Sequence, residues 1–382
     1  MTEENPVKIV RHSARARVAA VGLATTGALF LAGCGAANEA AAPAGAAAGG
    51  AAAPAGVSGT ISGEGASSQE AAMQAWTAGF IGANPDATVN YNATGSGAGR
   101  DQFIAGGAAF IGSDAYLDEE ELPQAQERCG GPDNVVEFPG YISPIAVIYN
   151  LEGVTDLNLA PATIAKIFNR QITTWNDPAI AADNPGATLP ATAITPVNRA
   201  DESGTTENFT EYLVAAAGAD WPYEASGDWP VAGGEAAQGT SGVVGAVQGG
   251  QGTIGYADAS QAGELGVANV GVGTEFVGPT PEAAAAVVEA SPRVEGRGEN
   301  SFAYDLARDT TTSGAYPIVL VSYEIACTQY EDPAQAELVK AFLSYVISEE
   351  GQAASAETAG SAPISDSQRS TFQPAIDAIG AA

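Results

Sequence analysis

The sequence predicts an α/β protein with largely parallel sheets, divided into two lobes or domains. Short runs of β-forming residues alternate with helical apolar spacing from Val57 onward. A length of 382 residues is enough to build two lobes around large cores. Hydrophobic residues make up 45% and charged residues only 15%, which fits a folded body rather than a disordered one. No internal repeat of solenoid length is present.

Residues Val57 to Ser62 read as a strand, followed by a helix that places Met73, Trp76 and Phe80 on one face. Thr88 to Asn92 is a second strand ending in Gly95-Ser96-Gly97-Ala98-Gly99, and a short helix then runs through Phe103. The strand from Ala108 to Gly112 leads into Ser113-Asp114, and Tyr141 to Asn150 is a longer strand. Pro161 opens a helix at its first position, where a missing N–H costs nothing, with Ile164, Ile167 and Phe168 on its apolar face. Ile194 to Val197 feeds the segment Arg199-Ala200-Asp201-Glu202-Ser203-Gly204-Thr205-Thr206, and Phe209, Tyr212 and Leu213 then fall at helical spacing. Thr253 to Ala257, Val267 to Val272 and Tyr316 to Tyr323 are strands, and Pro333 to Ile347 is an amphipathic helix.

The N-terminus reads as an export signal over residues 1–33. Lys8, Arg11, Arg15 and Arg17 precede an apolar run from Val18 to Phe30 that is too short to span a bilayer comfortably. The tetrad Leu31-Ala32-Gly33-Cys34 resembles the lipobox of bacterial lipoproteins, in which the cysteine is lipidated and becomes the mature N-terminus. An acyl chain on Cys34 would then be the only membrane attachment. An ordinary signal peptide with a chance cysteine is the alternative. Residues 34–56 hold little besides Ala, Gly and Pro and read as a flexible tether. If Cys34 carries lipid, Cys129 and Cys327 are left as an even pair in an oxidising compartment, which favours a disulfide over two separate thiols.

The formal net charge is −31, and loss of the basic leader makes the remainder more negative still. Such a chain repels nucleic acid and anionic headgroups at long range, which argues against a nucleic-acid function.

Three loops share one design, a strand followed by Gly with Ser or Thr at a helix start: Gly65-Ala66-Ser67-Ser68, Gly95-Ser96-Gly97 and Ser203-Gly204-Thr205. The first turn of a helix presents unpaired N–H groups and the positive end of its dipole, and small residues let an anion approach them. Ligands of open α/β sheets sit at the carboxyl ends of strands. Taken singly, each Ser or Thr is more often an ordinary helix cap. Arg199 adds a planar guanidinium suited to a tetrahedral oxyanion, with Asp201 close enough to orient it; a surface salt bridge is the alternative.

The segment RADESGTTENF resembles the ligand loop R-x-D-G-S-G-T of phosphate-specific binding proteins of ABC transporters. The stretches VNYNATGSGAGRDQF, FIGSDAYL and TTWNDPAIAADNPGATLP match the same family in the same order, so the resemblance covers nearly the whole mature chain. It implies a two-lobe type II periplasmic-binding-protein fold hinged by two crossover strands, with crossings near Ile142 and Pro317. Lobe one would then comprise residues 57–142 and 318–382, and lobe two residues 143–317. It also implies phosphate contacts from Ser67, Ser68, Ser96, Asp114, Arg199, Ser203, Gly204 and Thr205. The implied partners are inorganic phosphate and an ABC permease, with a monomeric protein and no cofactor.

Two positions depart from the family pattern. Ser67-Ser68 stands where many members have Thr-Phe, a change that keeps the backbone donor. Glu202 replaces a glycine beside Ser203, and a carboxylate so near an anion is unfavourable unless it points into solvent. Asp114 has a helix cap as its alternative role. Enzymatic readings are weaker. The only histidine, His12, lies in the leader, so the usual general base and most zinc ligands are missing from the body. No G-x-x-x-x-G-K-[ST] run is present. The rivals are a binder of another oxyanion, such as sulfate or molybdate, and a metal-dependent phosphatase.

Overall fold

The computed structural model describes residues 56–382. The leader, Cys34 and nearly all of the tether lie outside the described residues. The chain opens with β1 (Gly59–Gly65), α1 (Glu70–Ala83), β2 (Ala87–Asn92), α2 (Ser96–Ile104), β3 (Phe110–Ser113) and α3 (Glu121–Cys129). Helix α1 buries Ala72, Met73, Trp76 and Phe80, the face its spacing predicts. Gly65 sits at φ +133°, and a side chain there would collide with the Gly112 carbonyl, so only glycine lets β1 and β3 end this close together.

The middle of the chain holds β4 (Val135–Asn150), β5 (Asn158–Leu159), α4 (Pro161–Phe168), α5 (Pro178–Asp183), β6 (Thr195–Arg199) and α6 (Gly204–Ala217). After these come β7 (Glu235–Ala237), α7 (Gly239–Gly249), β8 (Thr253–Asp258), β9 (Gly266–Val267), β10 (Asn269–Val272), β11 (Glu275–Val277) and α8 (Pro281–Ala290). The last part is β12 (Val319–Cys327), β13 (Gln329–Tyr330), α9 (Pro333–Ile347), α10 (Glu349–Ala359), α11 (Asp366–Asp377) and β14 (Gly380–Ala381).

Nine strands form one sheet in the order β2-β1-β3-β12-β4-β8-β6-β7, with β9 also on β4. The expectation of largely parallel sheets is corrected: only the wings β2-β1-β3 and β8-β6-β7 are parallel, and the middle is antiparallel. The chain runs out along β4 and returns along β12, so the two central strands oppose each other. Residues Val135 to Pro144 of β4 pair with β12, and Ile145 to Asn150 pair with β8. Strand β4 begins six residues before the predicted Tyr141. Glu137, Pro139 and Gly140 hid that start. Glu137 is buried but satisfied by Leu117 N–H, Arg297 and Ser301, and the ladder slips its register at Pro139-Gly140-Tyr141.

Each wing has an aromatic core. Phe342 of α9 packs against Phe80 and Phe110 at ring distances of 5.4 and 5.3 Å. Phe209 stacks on Tyr256 at 4.4 Å, beside Phe168 and Trp229. Such pairs are worth about 0.5–1.5 kcal/mol beyond their area burial. Cys129, the last residue of α3, is disulfide-bonded to Cys327, the last residue of β12, with Cα atoms 5.2 Å apart. Among the described residues no helix is long and apolar enough to cross a membrane.

Candidate anion site

The three Gly-Ser/Thr loops converge. Ser67, Ser68, Ser96, Asp114, Arg199, Ser203 and Thr205 are each at most 5% exposed, and Gly204 is buried with them. They lie at or just beyond the carboxyl ends of the parallel strands β1, β2, β3 and β6, and α1, α2 and α6 begin after β1, β2 and β6.

Asp114 ties the loops together. Its carboxylate accepts from Ser68 Oγ at 2.7 and 2.8 Å and from Thr205 Oγ1 at 2.8 Å. Its backbone N–H donates to Ser96 Oγ at 3.1 Å, and its carbonyl accepts from Asn208 Nδ2 at 2.6 Å. The next helix starts only at Glu121, so Asp114 is not a helix cap. Burial raises its carboxyl above the ordinary value, opposed by the hydroxyls of Ser68, Thr205 and Ser322 and by the charge of Arg199. Gly204 has no room for a side chain: a Cβ would stand 2.7 Å from Asp114 Cβ and 2.8 Å from Ser96 Oγ.

Arg199, the last residue of β6, is fixed by Asp201 as the sequence predicts. Its Nε donates to Asp201 Oδ1 at 2.9 Å and its Nη2 bonds Oδ2. Among the described residues Nη1 has no hydrogen-bond partner, which leaves one edge of the fork for a ligand. Burial would raise Asp201, but the hydrogen bonds and charge of Arg199 win and hold its carboxyl below the ordinary value.

The serines do different work. Ser203 caps α6, accepting from Thr206 N–H at 3.2 Å. Helix α1 has no serine cap; Gln69 stands at its start without a side-chain cap bond. The Ser67 hydroxyl pairs instead with Thr240 Oγ1 at 3.1 Å and accepts from Thr240 N–H at 3.1 Å. Thr240 belongs to a fourth loop that sequence reasoning missed. Gly239-Thr240 follows β7 and opens α7, the same design as the other three. Gly239 N–H donates to Asp201 Oδ1 at 3.0 Å, joining that loop to Arg199. Gln261, also missed, clamps the Ser67 and Ser68 carbonyls at 3.0 and 3.2 Å.

Glu202 points only partly into solvent, its side chain 34% exposed. Its carboxylate turns onto Arg100, which donates to it at 3.0 Å and to Glu121 at 2.7 Å. A Cβ on Gly97 would stand 1.2 Å from Glu202 Oε2, so glycine at 97 is what admits this pose.

The PBP superfamily domain matches residues 50–350. Phosphate-binding protein PstS 3 of Mycobacterium leprae is 38% identical over 370 residues, 94% of this chain and 98% of that one. The Mycobacterium tuberculosis PstS 3 is 39% identical with the same coverage. The chain belongs to the PstS phosphate-binding proteins. Solved structures agree on the fold. The periplasmic phosphate-binding protein PfluDING, solved with phosphate, superposes with a TM-score of 0.67 at 23% identity, covering 82% of this chain and 93% of its own. A substrate-binding protein from Clostridium perfringens with bound phosphate gives 0.57 at 21% identity, covering 79% of this chain and 98% of its own. The PstS chain described here therefore has the two-lobe PBP fold.

Proposed function

We propose that the protein captures inorganic phosphate outside the cytoplasmic membrane and delivers it to the permease of an ABC-type phosphate transporter, binding it without chemistry. The observation that carries this reading is the pairing, in one buried cluster, of the half-engaged guanidinium of Arg199 with the carboxylate of Asp114. The cation suits an oxyanion, and the carboxylate suits only one that still carries a proton. The proposed contacts are Ser67, Ser68, Ser96, Asp114, Arg199, Ser203, Gly204 and Thr205. Membership in the PstS proteins supports both ligand and transporter.

The lobes proposed to close on the ligand are residues 57–142 with 318–382, and residues 143–317. In support, β4 changes ladder between Pro144 and Ile145, and Ile145 N–H bonds the Ile318 carbonyl at 2.7 Å. Contacts such as Asp114 to Thr205 and Ser67 to Thr240 then run from one lobe to the other, which is how a hinge closure is held. The protein is proposed to be a monomer tethered by lipid on Cys34, and the lipobox-like tetrad supports the tether.

Calorimetric titration of ligand-stripped protein with phosphate and then sulfate tests the assignment. Tight phosphate binding supports it; preference for sulfate or molybdate replaces it with another oxyanion binder. Turnover of an aryl phosphate with divalent metal would replace it with a phosphatase.

A further inference from the structure

Glu324 of β12 has no exposed surface, and neither of its carboxyl oxygens has a hydrogen-bond partner among the described residues. Gln69 Oε1 is a third buried acceptor without a donor. A few such groups occur in any fold, and each needs a cause. Two glycines make the space these side chains occupy. A Cβ on Gly140 would stand 2.7 Å from Glu324 Cγ, and one on Gly112 would stand 1.5 Å from Gln69 Nε2 and 2.7 Å from the Tyr91 hydroxyl.

This chamber backs the first anion loop. Gln69 follows Ser68 directly, and the Tyr91 hydroxyl bonds the Ala66 carbonyl at 3.1 Å. The groups facing Glu324 are few. Gln69 approaches from α1 and Tyr91 from β2, and β3 and β4 present Gly112, Phe138 and Gly140. Tyr91 also feels Asp114 and Glu64, both acidic, which raise its hydroxyl as Glu324 does. Among the described residues no cation is paired with Glu324.

A proton resolves the arrangement. Protonated, Glu324 is a neutral buried group; ionised, it is a buried charge with no hydrogen-bond partner among the described residues. Burial pushes its carboxyl up to about 8, opposed by Gln69.

We propose that Glu324 is a positioning residue that holds a proton behind the Ser67–Ser68 loop and so keeps that loop in its anion-holding form, coupling capture to protonation. This rests on the phosphate reading of the site. An anion bound on the other side of the loop adds negative charge and favours protonated Glu324. By linkage, affinity then falls as Glu324 ionises.

The test is titration of inorganic phosphate into wild type and E324Q from pH 6.5 to 9.5, with circular dichroism confirming the fold at each pH. Phosphate's own ionisation affects both proteins alike, so the ratio of their dissociation constants isolates Glu324. The ratio of wild type to E324Q should rise about tenfold or more across this range. A flat ratio overturns the inference and leaves the phosphate reading standing. If wild type binds no phosphate at any pH, the phosphate reading fails and the coupling with it. Melting without phosphate reads the proton itself. The folded carboxyl titrates above its unfolded value, so wild type should lose stability relative to E324Q as pH rises from about 4.5 to about 8. Parallel melting profiles overturn the proton assignment. E324M, which keeps the volume and removes the titrating group, supplies the same comparison should E324Q not fold.

Discussion

Arg100 Nη2 donates to Glu202 Oε1 at 3.0 Å, while its Nε holds Glu121 at 2.7 Å. One guanidinium thus holds the extra carboxylate of the anion loop in an ion pair. Burial raises the Glu202 carboxyl and Arg100 opposes this, so the pair is what keeps the acid in place. Replacing Arg100 with Gln should free Glu202 and weaken phosphate binding by roughly tenfold, about 1.4 kcal/mol. The double variant R100Q/E202Q should recover most of that loss, because only the pair couples the two positions. Equal phosphate affinity of R100Q and wild type in calorimetry would show that Glu202 never reaches the ligand.

The anion loops were legible because glycine and hydroxyl residues at strand ends have local causes that a sequence displays. Ser203 and Arg199 stand where that reasoning puts them. Thr240 carried the same signature but follows β7, a three-residue strand too short to register. Gln261 and Asn208 could not be read at all, since their roles depend on which distant backbone arrives beside them. Helix α9 was legible to the residue because Asp332 caps it and Pro333 opens it. The antiparallel centre of the sheet was not. Strand direction is set by how the chain returns along β12, information spread over residues 135–327.

Cys129 and Cys327 close a loop spanning 198 residues. Cross-linking so long a segment restricts the unfolded chain, and its removal in C129S/C327S should cost roughly 2–4 kcal/mol. Denaturant melts of oxidised wild type and the double serine variant measure the difference. Mass spectrometry of the non-reduced protein should give a peptide linking Cys129 to Cys327; free alkylatable thiols at both positions would contradict the bridge.

Membrane attachment should depend on one side chain. If Cys34 is acylated, the wild type fractionates with membranes and Cys34→Ala is soluble or unprocessed. The same fractionation of both forms would eliminate the lipid anchor and leave the phosphate site untouched.

Arg199 is the cation that reaches into the cluster, and Asp201 holds its Nε and Nη2 edge so that Nη1 can face an anion. Truncation to Ala should cost on the order of 2–5 kcal/mol of binding, because a buried anion loses its charged partner. That is about 30-fold to several-thousand-fold in dissociation constant. Lysine cannot reproduce the fork against Asp201 and should recover only part of the loss. A change under threefold in R199A would place Arg199 outside the site.

Asp114 should set selectivity between oxyanions. Its carboxylate already accepts from Ser68 and Thr205, yet each oxygen has two acceptor positions, so Oδ1 keeps capacity for a proton on the ligand. Phosphate near neutral pH retains at least one hydrogen to donate there. Fully ionised sulfate has none and would face the carboxylate acceptor to acceptor, with a penalty of roughly 3–5 kcal/mol in a desolvated site. The expected preference for phosphate is therefore about 10²–10⁴-fold. In Asp114→Asn the amide can donate to sulfate, and the preference should narrow. It should narrow without collapse of the fold, because the carbonyl bond to Asn208 and the N–H bond to Ser96 come from the backbone and survive the change. Both anions are titrated into wild type and D114N at matched ionic strength. Wild type holding sulfate as tightly as phosphate would refute the role given to Asp114, since the geometry offers that carboxylate no other means of discriminating two tetrahedral anions.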